Sequence, residues 1–567
     1  MMKNKVKIGL ISLSFMLVFM IACGDDFLDR PPLGAIGESS IANKAGVEGS
    51  LVVAYRTLTG TSIANWYTSP MNWLWGGIRS DDSYKGTEAS DQGTEINPVE
   101  RFEVQPNSPS VTNKWRACYD GIGMANTTLR LLAQAKDISA DDVKRITAET
   151  RFLRGFHHFE AKRCFNNVPY VDEKAQTTEE YKAIKNDVSI WPQIEADLQF
   201  AYDNLPATQA QKGRVNKWAA GAYLAKALLT QGKFGPAKTL FDACIANGVT
   251  NSNEKFGLIP EFKDVFRGVS ENSKEVVFAI QYTVGDGTGG ANSNKDAELT
   301  NPHNDGPVGC CGFYQPSQTL VNAYKTVNGL PMANFNAVDI KNHESHPSDF
   351  KDLTELDPRL DYTVGRVGIP YKDYGIAKAS WIRNLANGGP WLPNKHIQWK
   401  DEVGTYFVSG GWGQGQLGKN QILMRYADLL LMAAECEVEV GSLEKAREYV
   451  NLIRDRAAKS TVVKDGANPA ANYNIKLYTT PWTDKAAAQN AVRFERQLEL
   501  AMEGHRFFDL VRWGIADVVR NAFIAKEKTR RTHLEGSTFR KGKDEYLPIP
   551  ETVIAQSGGN IKQNPGY

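Results

Sequence analysis

Charge of one sign is what this 567-residue chain most plainly lacks. Its 66 lysines and arginines meet 65 aspartates and glutamates, giving a formal net charge of +1. No Lys/Arg-rich block interrupts the mixture, whereas a nucleic-acid binder carries a basic face; no nucleic-acid partner is expected. Long apolar runs are equally scarce. Only residues 8–21 form one, shorter than the about 20 residues that hold a helix across a bilayer. Cysteines number seven. Cys118, Cys164, Cys244 and Cys436 fall in apolar helical patterns, where cysteine acts as a small hydrophobe. Adjacent Cys310 and Cys311 lack metal-ligand spacing, and an oxidising compartment leaves a disulfide open. His343 and His346 sit in a polar loop. No EF-hand spacing, P-loop, G-x-S-x-G or dinucleotide fingerprint stands in a fitting strand–helix setting. No catalytic residue, metal or cofactor is therefore expected. A glycosidase needs only two carboxylates and no fingerprint, so a surface glycosidase stays as a lesser alternative.

What is there begins at the N-terminus. Lys3, Lys5 and Lys7 precede the apolar run, the layout of a secretory signal peptide. Met20-Ile21-Ala22-Cys23 closes it and resembles a lipobox, the site where a lipoprotein peptidase cuts before a cysteine that receives lipid. Residues 1–22 are then the signal peptide and Cys23 the lipidated residue. Ala22 and Gly24 would also suit ordinary cleavage after Gly24. One acyl chain holds a protein only reversibly, at about 0.8 kcal/mol per buried methylene, and several chains anchor it stably.

Residues 23–567 read as one mainly α domain. Gly232, Phe234, Ala237, Phe241 and Cys244 recur position for position as Gly441, Leu443, Ala446, Val450 and Ile453. Each set follows an Ala/Leu-rich helix, over 218–230 and 426–440. This is the pattern of a tetratricopeptide-type helical hairpin, which must stack on further pairs to bury its apolar face. Helical spacing predicts more such pairs over 115–134 with 141–164, and over 486–512. The helical repeats thus run roughly 40–260 and 420–530. Between them, roughly 265–420 is a loop-rich insert of Gly, Asn, Pro and aromatics with short strands, one over 275–282. Along the last helical stretch, Arg496 with Glu499, Glu503 with Arg506, and Asp509 with Arg512 are i,i+3 pairs expected to brace the scaffold. Arg425, Asp428 and Glu435 read the same way.

These blocks resemble the SusD/RagB family of surface glycan-binding lipoproteins. The most specific is 495–514, from Glu495-Arg496-Gln497-Leu498 through Arg506-Phe507-Phe508-Asp509 to Arg512-Trp513-Gly514. Arg425-Tyr426-Ala427-Asp428, Glu149-Thr150-Arg151-Phe152, Asp357-Pro358-Arg359-Leu360 and the closing Asn564-Pro565-Gly566-Tyr567 add to it. Asn166-Asn167 stand where the family usually has Gly, a change Asn tolerates better than most. The resemblance implies an outer-membrane lipoprotein facing the exterior, in keeping with acidic Asp25 and Asp26 after the cut. It implies capture of an oligosaccharide or polysaccharide without catalysis, and delivery to a TonB-dependent, SusC-like transporter. Some relatives capture peptides instead.

A flat aromatic ring matches the C–H face of a pyranose while its rim tolerates water. Tryptophans in Gly-, Asn- or Ser-rich surroundings are therefore candidate sugar platforms: Trp73, Trp75, Trp381, Trp391 and Trp412, with Asp81 and Tyr84 as polar partners. Trp66, Trp399 and Trp482 share such surroundings. Each one alone could equally plug a loop.

Overall fold

Small residues at fixed spacing decide how this chain packs. In the first hairpin Ala237, Phe241 and Cys244 are wholly buried, and so are Ala446, Val450 and Ile453 in the second. The alanine lets two helices approach while the larger residues fill the gap between them. Gly232, at φ +73°, makes the tight turn that a side chain would strain. The computed structural model describes residues 38–60, 65–295, 298–347, 352–409 and 415–567, so Cys23 and Trp412 lie outside the described residues.

The principal helices are α1 (Lys44–Arg56), α2 (Pro109–Gln134), α3 (Ala140–Phe165), α4 (Trp191–Asn204), α5 (Lys217–Thr230) and α6 (Phe234–Asn247). After the insert come α7 (Tyr426–Val440), α8 (Leu443–Lys459), α9 (Lys485–Leu500), α10 (Arg506–Arg512) and α11 (Ala516–Glu527). Asn43, Ser139, Asn216, Ser442 and Asp484 each accept the backbone N–H three residues on, capping α1, α3, α5, α8 and α9. From α1 to α8 every helix packs on the next, and α9 lies against both α7 and α8. That is the nearest-neighbour stacking of a helical repeat. Among the described residues no helix is long and apolar enough to cross a membrane.

The stack continues across the insert because the insert leaves and returns at one place. Strand β2 (Val276–Ile280) pairs antiparallel with β6 (Gln421–Arg425), setting Ile280 opposite Gln421 and Val276 opposite Arg425. The Tyr426 N–H then bonds the Glu275 carbonyl at 2.7 Å. This two-stranded neck lets α6 and α7 be neighbours although the insert separates them in sequence. Within the excursion, β3 (Phe313–Pro316) pairs with β1 (Ser83–Gly86), and β4 (Val364–Arg366) with β5 (Trp391–Pro393). Cys310 and Cys311 are joined as a disulfide, while Cys118, Cys164, Cys244 and Cys436 are free and buried.

The expected i,i+3 pairing needs correction. The stretch 486–512 holds two helices. It breaks between α9 and α10, where Met502 and Gly504 take φ +65° and +73°. A Cβ on Gly504 would lie 1.9 Å from the Met71 carbonyl oxygen, so the close approach of that N-terminal loop requires glycine. The break also redirects the charges. Arg496 pairs with Asp428 at 2.9 Å and Asp509 at 3.0 Å rather than with Glu499. Arg506 pairs with Asp81 rather than Glu503. Only Asp509–Arg512 keeps the i,i+3 form, at 2.7 Å. Glu499 and Glu503 instead take Arg425, at 2.6 and 2.7 Å, and Arg359 joins Glu495 and Glu499 at 2.7 and 2.9 Å. Removing one partner of such a buried pair typically costs about 3–5 kcal/mol. These residues bind the C-terminal helices to the insert.

Candidate ligand-binding site

Of the candidate aromatics, the described ones, Trp73, Trp75, Trp381, Trp391 and Tyr84, are interior residues. Trp73, Trp75 and Trp391 are at most 1% exposed, Trp381 is 4% exposed, and Tyr84 is fully covered. Trp73 and Trp75 lie on a π-helical turn, Trp73–Ile78. There the Trp75 Nε1–H donates to the Tyr67 carbonyl at 2.6 Å, and Trp73 sits edge-on to Phe313, 6.2 Å between centroids. Trp391 occupies β5, and Trp381 meets Tyr371 edge-on at 5.5 Å. Asp81 is committed to Arg506 at 2.8 Å, and the Tyr84 hydroxyl donates to Glu527 at 2.6 Å. None of these rings has a face to offer a sugar. Long loops need cores of their own, and the large aromatics fill them. Conversely, Trp191, Trp218 and Trp513, which sit in helical patterns, are only half-buried.

An open cleft of about 570 Å³ lies elsewhere, where the end of α1 meets the neck of the insert. The turn of α1 contributes Val52, Tyr55 and Arg56; the segment before α5 adds Gln211 and Arg214; the strand leaving β2 adds Gln281 and Tyr282; and the returning loop adds Asn292 and Lys295. Helical spacing puts Val52, Tyr55 and Arg56 on one side of α1. Val52 is 55% exposed there, an apolar side chain left facing solvent.

Hydrogen bonds fix these walls. The Tyr55 hydroxyl donates to Glu149 at 2.6 Å and accepts the Val215 N–H at 3.0 Å. Burial, and then the Glu149 charge, raise the Tyr55 pKa well above its usual value, so it stays a neutral donor. Arg214 lies over the Tyr55 ring at 5.1 Å and reaches Glu149 at 3.1 Å. On the opposite wall the Tyr282 N–H bonds Asn420 Oδ1 at 3.0 Å, and Asn420 in turn donates to Gln281 at 2.9 Å. Arg56 spans the cleft to Asn292 Oδ1 at 3.4 Å. Lys295 pairs with Glu298 at 3.4 Å, which also accepts the Trp66 indole N–H at 3.2 Å. A half-buried Trp66 therefore stands next to the mouth. The cleft thus offers aromatic rings, amides and cations, the set that can stack on sugar rings and bond their hydroxyls.

Residues 274–567 match the family described as SusD family, and residues 77–229 match one described as starch-binding, associating with outer membrane. The chain belongs to the SusD/RagB family. It is 25% identical to SusD-like protein P2 of Formosa agariphila across the whole of both chains. It is 22% identical to a SusD-like protein of Bacteroides ovatus, over 98% of this chain and 94% of that one. Among solved structures, a laminarin-binding SusD-like protein superposes with a TM-score of 0.67 at 24% identity, covering 93% of this chain and all of the other. Surface glycan-binding protein A from Bacteroides thetaiotaomicron, in complex with laminarihexaose, gives 0.64 at 18%, covering 92% and 99%. At these identities the superpositions establish the SusD-like fold. Trp66, which reaches the lining only through Glu298 and Lys295, had a sequence signal in its loop setting. Tyr55, Arg56 and Tyr282 had none, because only the neck of the insert brings them together.

Proposed function

We propose that this SusD/RagB chain is a surface glycan-binding lipoprotein that holds an oligosaccharide in the cleft between α1 and the neck of the insert. The observation that carries this reading is the cleft itself. It is large enough for several sugar rings, open to solvent, and walled by Tyr55, Tyr282, Asn292 and Arg56 with Trp66 at its edge. Sites of this kind combine apolar faces with a few placed polar groups. Two neighbours of the same fold are named as binding laminarin and laminarihexaose, which supports carbohydrate as the ligand class. Capture is non-covalent in this reading, in keeping with the glycan-binding names of its structural neighbours; a catalytic alternative would need a pair of carboxyl groups at the cleft. Lipid on Cys23 would tether the protein to the outer membrane, where it would hand its cargo to a TonB-dependent, SusC-like transporter.

Calorimetry against a panel of oligosaccharides, with unrelated peptides as a second arm, tests the site. The Trp66→Ala/Tyr282→Ala double variant should bind the preferred glycan at least about tenfold more weakly with an unchanged melting temperature, since stacked aromatic anchors dominate such contacts. Unchanged affinity would remove the cleft from consideration. Selective binding of peptides would replace the ligand class.

A further inference from the structure

We infer that the ligand of this cleft is an acidic oligosaccharide, its uronate carboxylates or sulfate esters lying against Arg56 and the cations beside it; this rests on the cleft being the binding site. The charges around the cleft are distributed unevenly. Among the described lining residues three side chains are cationic, Arg56, Arg214 and Lys295, and none is a carboxylate. The acids that offset two of them stand outside the lining. Glu149, fully buried, takes Arg214 at 3.1 Å and the Tyr55 hydroxyl at 2.6 Å, and Glu48 lies 3.6 Å from Arg214. Glu298 takes Lys295 at 3.4 Å and the Trp66 indole.

Arg56 differs from both. Among the described residues it makes no ion pair; it is exposed, at the last turn of α1, with only the Asn292 amide oxygen within reach at 3.4 Å. Lys212, next to the lining residues Gln211 and Gly213, is likewise exposed and unpaired among the described residues. On the nearby glycine-rich loop Asp286 is bound by the Thr288 hydroxyl at 2.6 Å and the Asn292 amide at 2.7 Å, and it does not line the cleft.

A neutral sugar gains little from this arrangement, because hydroxyl groups bond an amide as well as a guanidinium. A carboxylate or sulfate gains charge-assisted bonds, which are shorter and about twice as strong as neutral ones, and Arg can make two at once. Buried Glu149 and half-buried Glu298 hold Arg214 and Lys295 in place from outside the described lining. Arg56 supplies the uncompensated charge.

The mature protein should be titrated with three probes of equal length: an oligogalacturonate, a sulfated galacto-oligosaccharide and a neutral gluco-oligosaccharide. At least one acidic probe should bind about fivefold or more tightly than the neutral one at low salt, the worth of one exposed ion pair at its stronger end. Half-molar salt should shrink that gap, since screening then acts within a few ångströms. Arg56→Gln should remove most of it, lowering acidic-probe affinity several-fold more than neutral-probe affinity, at an unchanged melting temperature. A uronate-only or sulfate-only response supports the inference and names the acid. Neutral binding that equals or exceeds both acidic probes, yet is lost in the Trp66→Ala/Tyr282→Ala variant, overturns the acidic preference and leaves the site standing. If no probe binds, or the double variant binds all of them normally, the site reading falls and this inference with it.

Discussion

At Trp73 the whole indole is out of solvent, packed edge-on to Phe313 and tilted against Tyr314 at 5.9 Å. Trp73→Ala should therefore act on stability rather than on ligand contact. Deleting a buried tryptophan ring costs about 3–5 kcal/mol, and urea unfolding should show a loss of that size. Glycan affinity of the fraction that remains folded should be unchanged; a selective loss of affinity with normal stability would return Trp73 to the site. Single-residue environments explain why sequence misleads at this scale. Gly-, Asn- and Ser-rich surroundings mark a loop, and a loop is a fair sign of the surface. In this chain the loops are long enough to fold back and bury their own aromatics, as Trp391 does in β5 and Trp381 does against Tyr371. Asn166, by contrast, was legible: it stands at φ +57° where the related family usually has glycine, and asparagine tolerates such a backbone.

Between elements, the joint that holds the N-terminal loop to the C-terminal helices is built of acids and should respond to pH. Asp81 and Asp82 follow the buried turn, and both are buried. Burial opposes ionisation of Asp81, but Arg506 outweighs it and holds the carboxyl below its ordinary value. Asp82 makes no ion pair among the described residues. Burial, and then the charge of Asp81, push it up to about 7, and its Oδ1 accepts no hydrogen bond. A carboxyl of the unfolded chain titrates near 3.9, so between about pH 4 and 7 the folded protein holds a proton that the unfolded chain has released. This joint should therefore lose stability as pH rises through that window, by up to about 1.4 kcal/mol per pH unit. Asp82→Asn should flatten that slope in denaturant titrations at pH 5, 6, 7 and 8; an unaltered slope would reject the assignment. Glu503 has the opposite sign. Burial raises it, yet Arg425 and Lys395 hold it at about 2, so its contribution is present above about pH 4 and fades toward pH 2. Sequence periodicity located the helices these joints connect, because a stack made by neighbours writes its contacts into local spacing. The partners of Asp81 and Arg425 were not legible. They lie across the insert or at the opposite end of the chain, and only the break at Gly504 sets their geometry.

For the whole molecule, the proposed tether and the proposed binding surface should be separable, each removable without the other. The described helical stack, neck and cleft are made by residues from Lys44 onward. Several acyl chains on one cysteine hold a protein to a bilayer far more firmly than a single chain, and no described helix is long and apolar enough to cross a membrane. Cys23→Ala should accordingly leave folding and glycan affinity intact while shifting the protein from the membrane fraction to the soluble fraction of a Gram-negative host. The wild type should stay with outer membranes through a high-salt wash, which strips proteins held by charge alone, and should incorporate labelled palmitate. Protease added to intact cells should remove it if the anchor faces outward. A Cys23→Ala protein that still sediments with membranes would show that something other than lipid retains it, and the exposed Val52 beside the cleft would then be the first place to look for a partner.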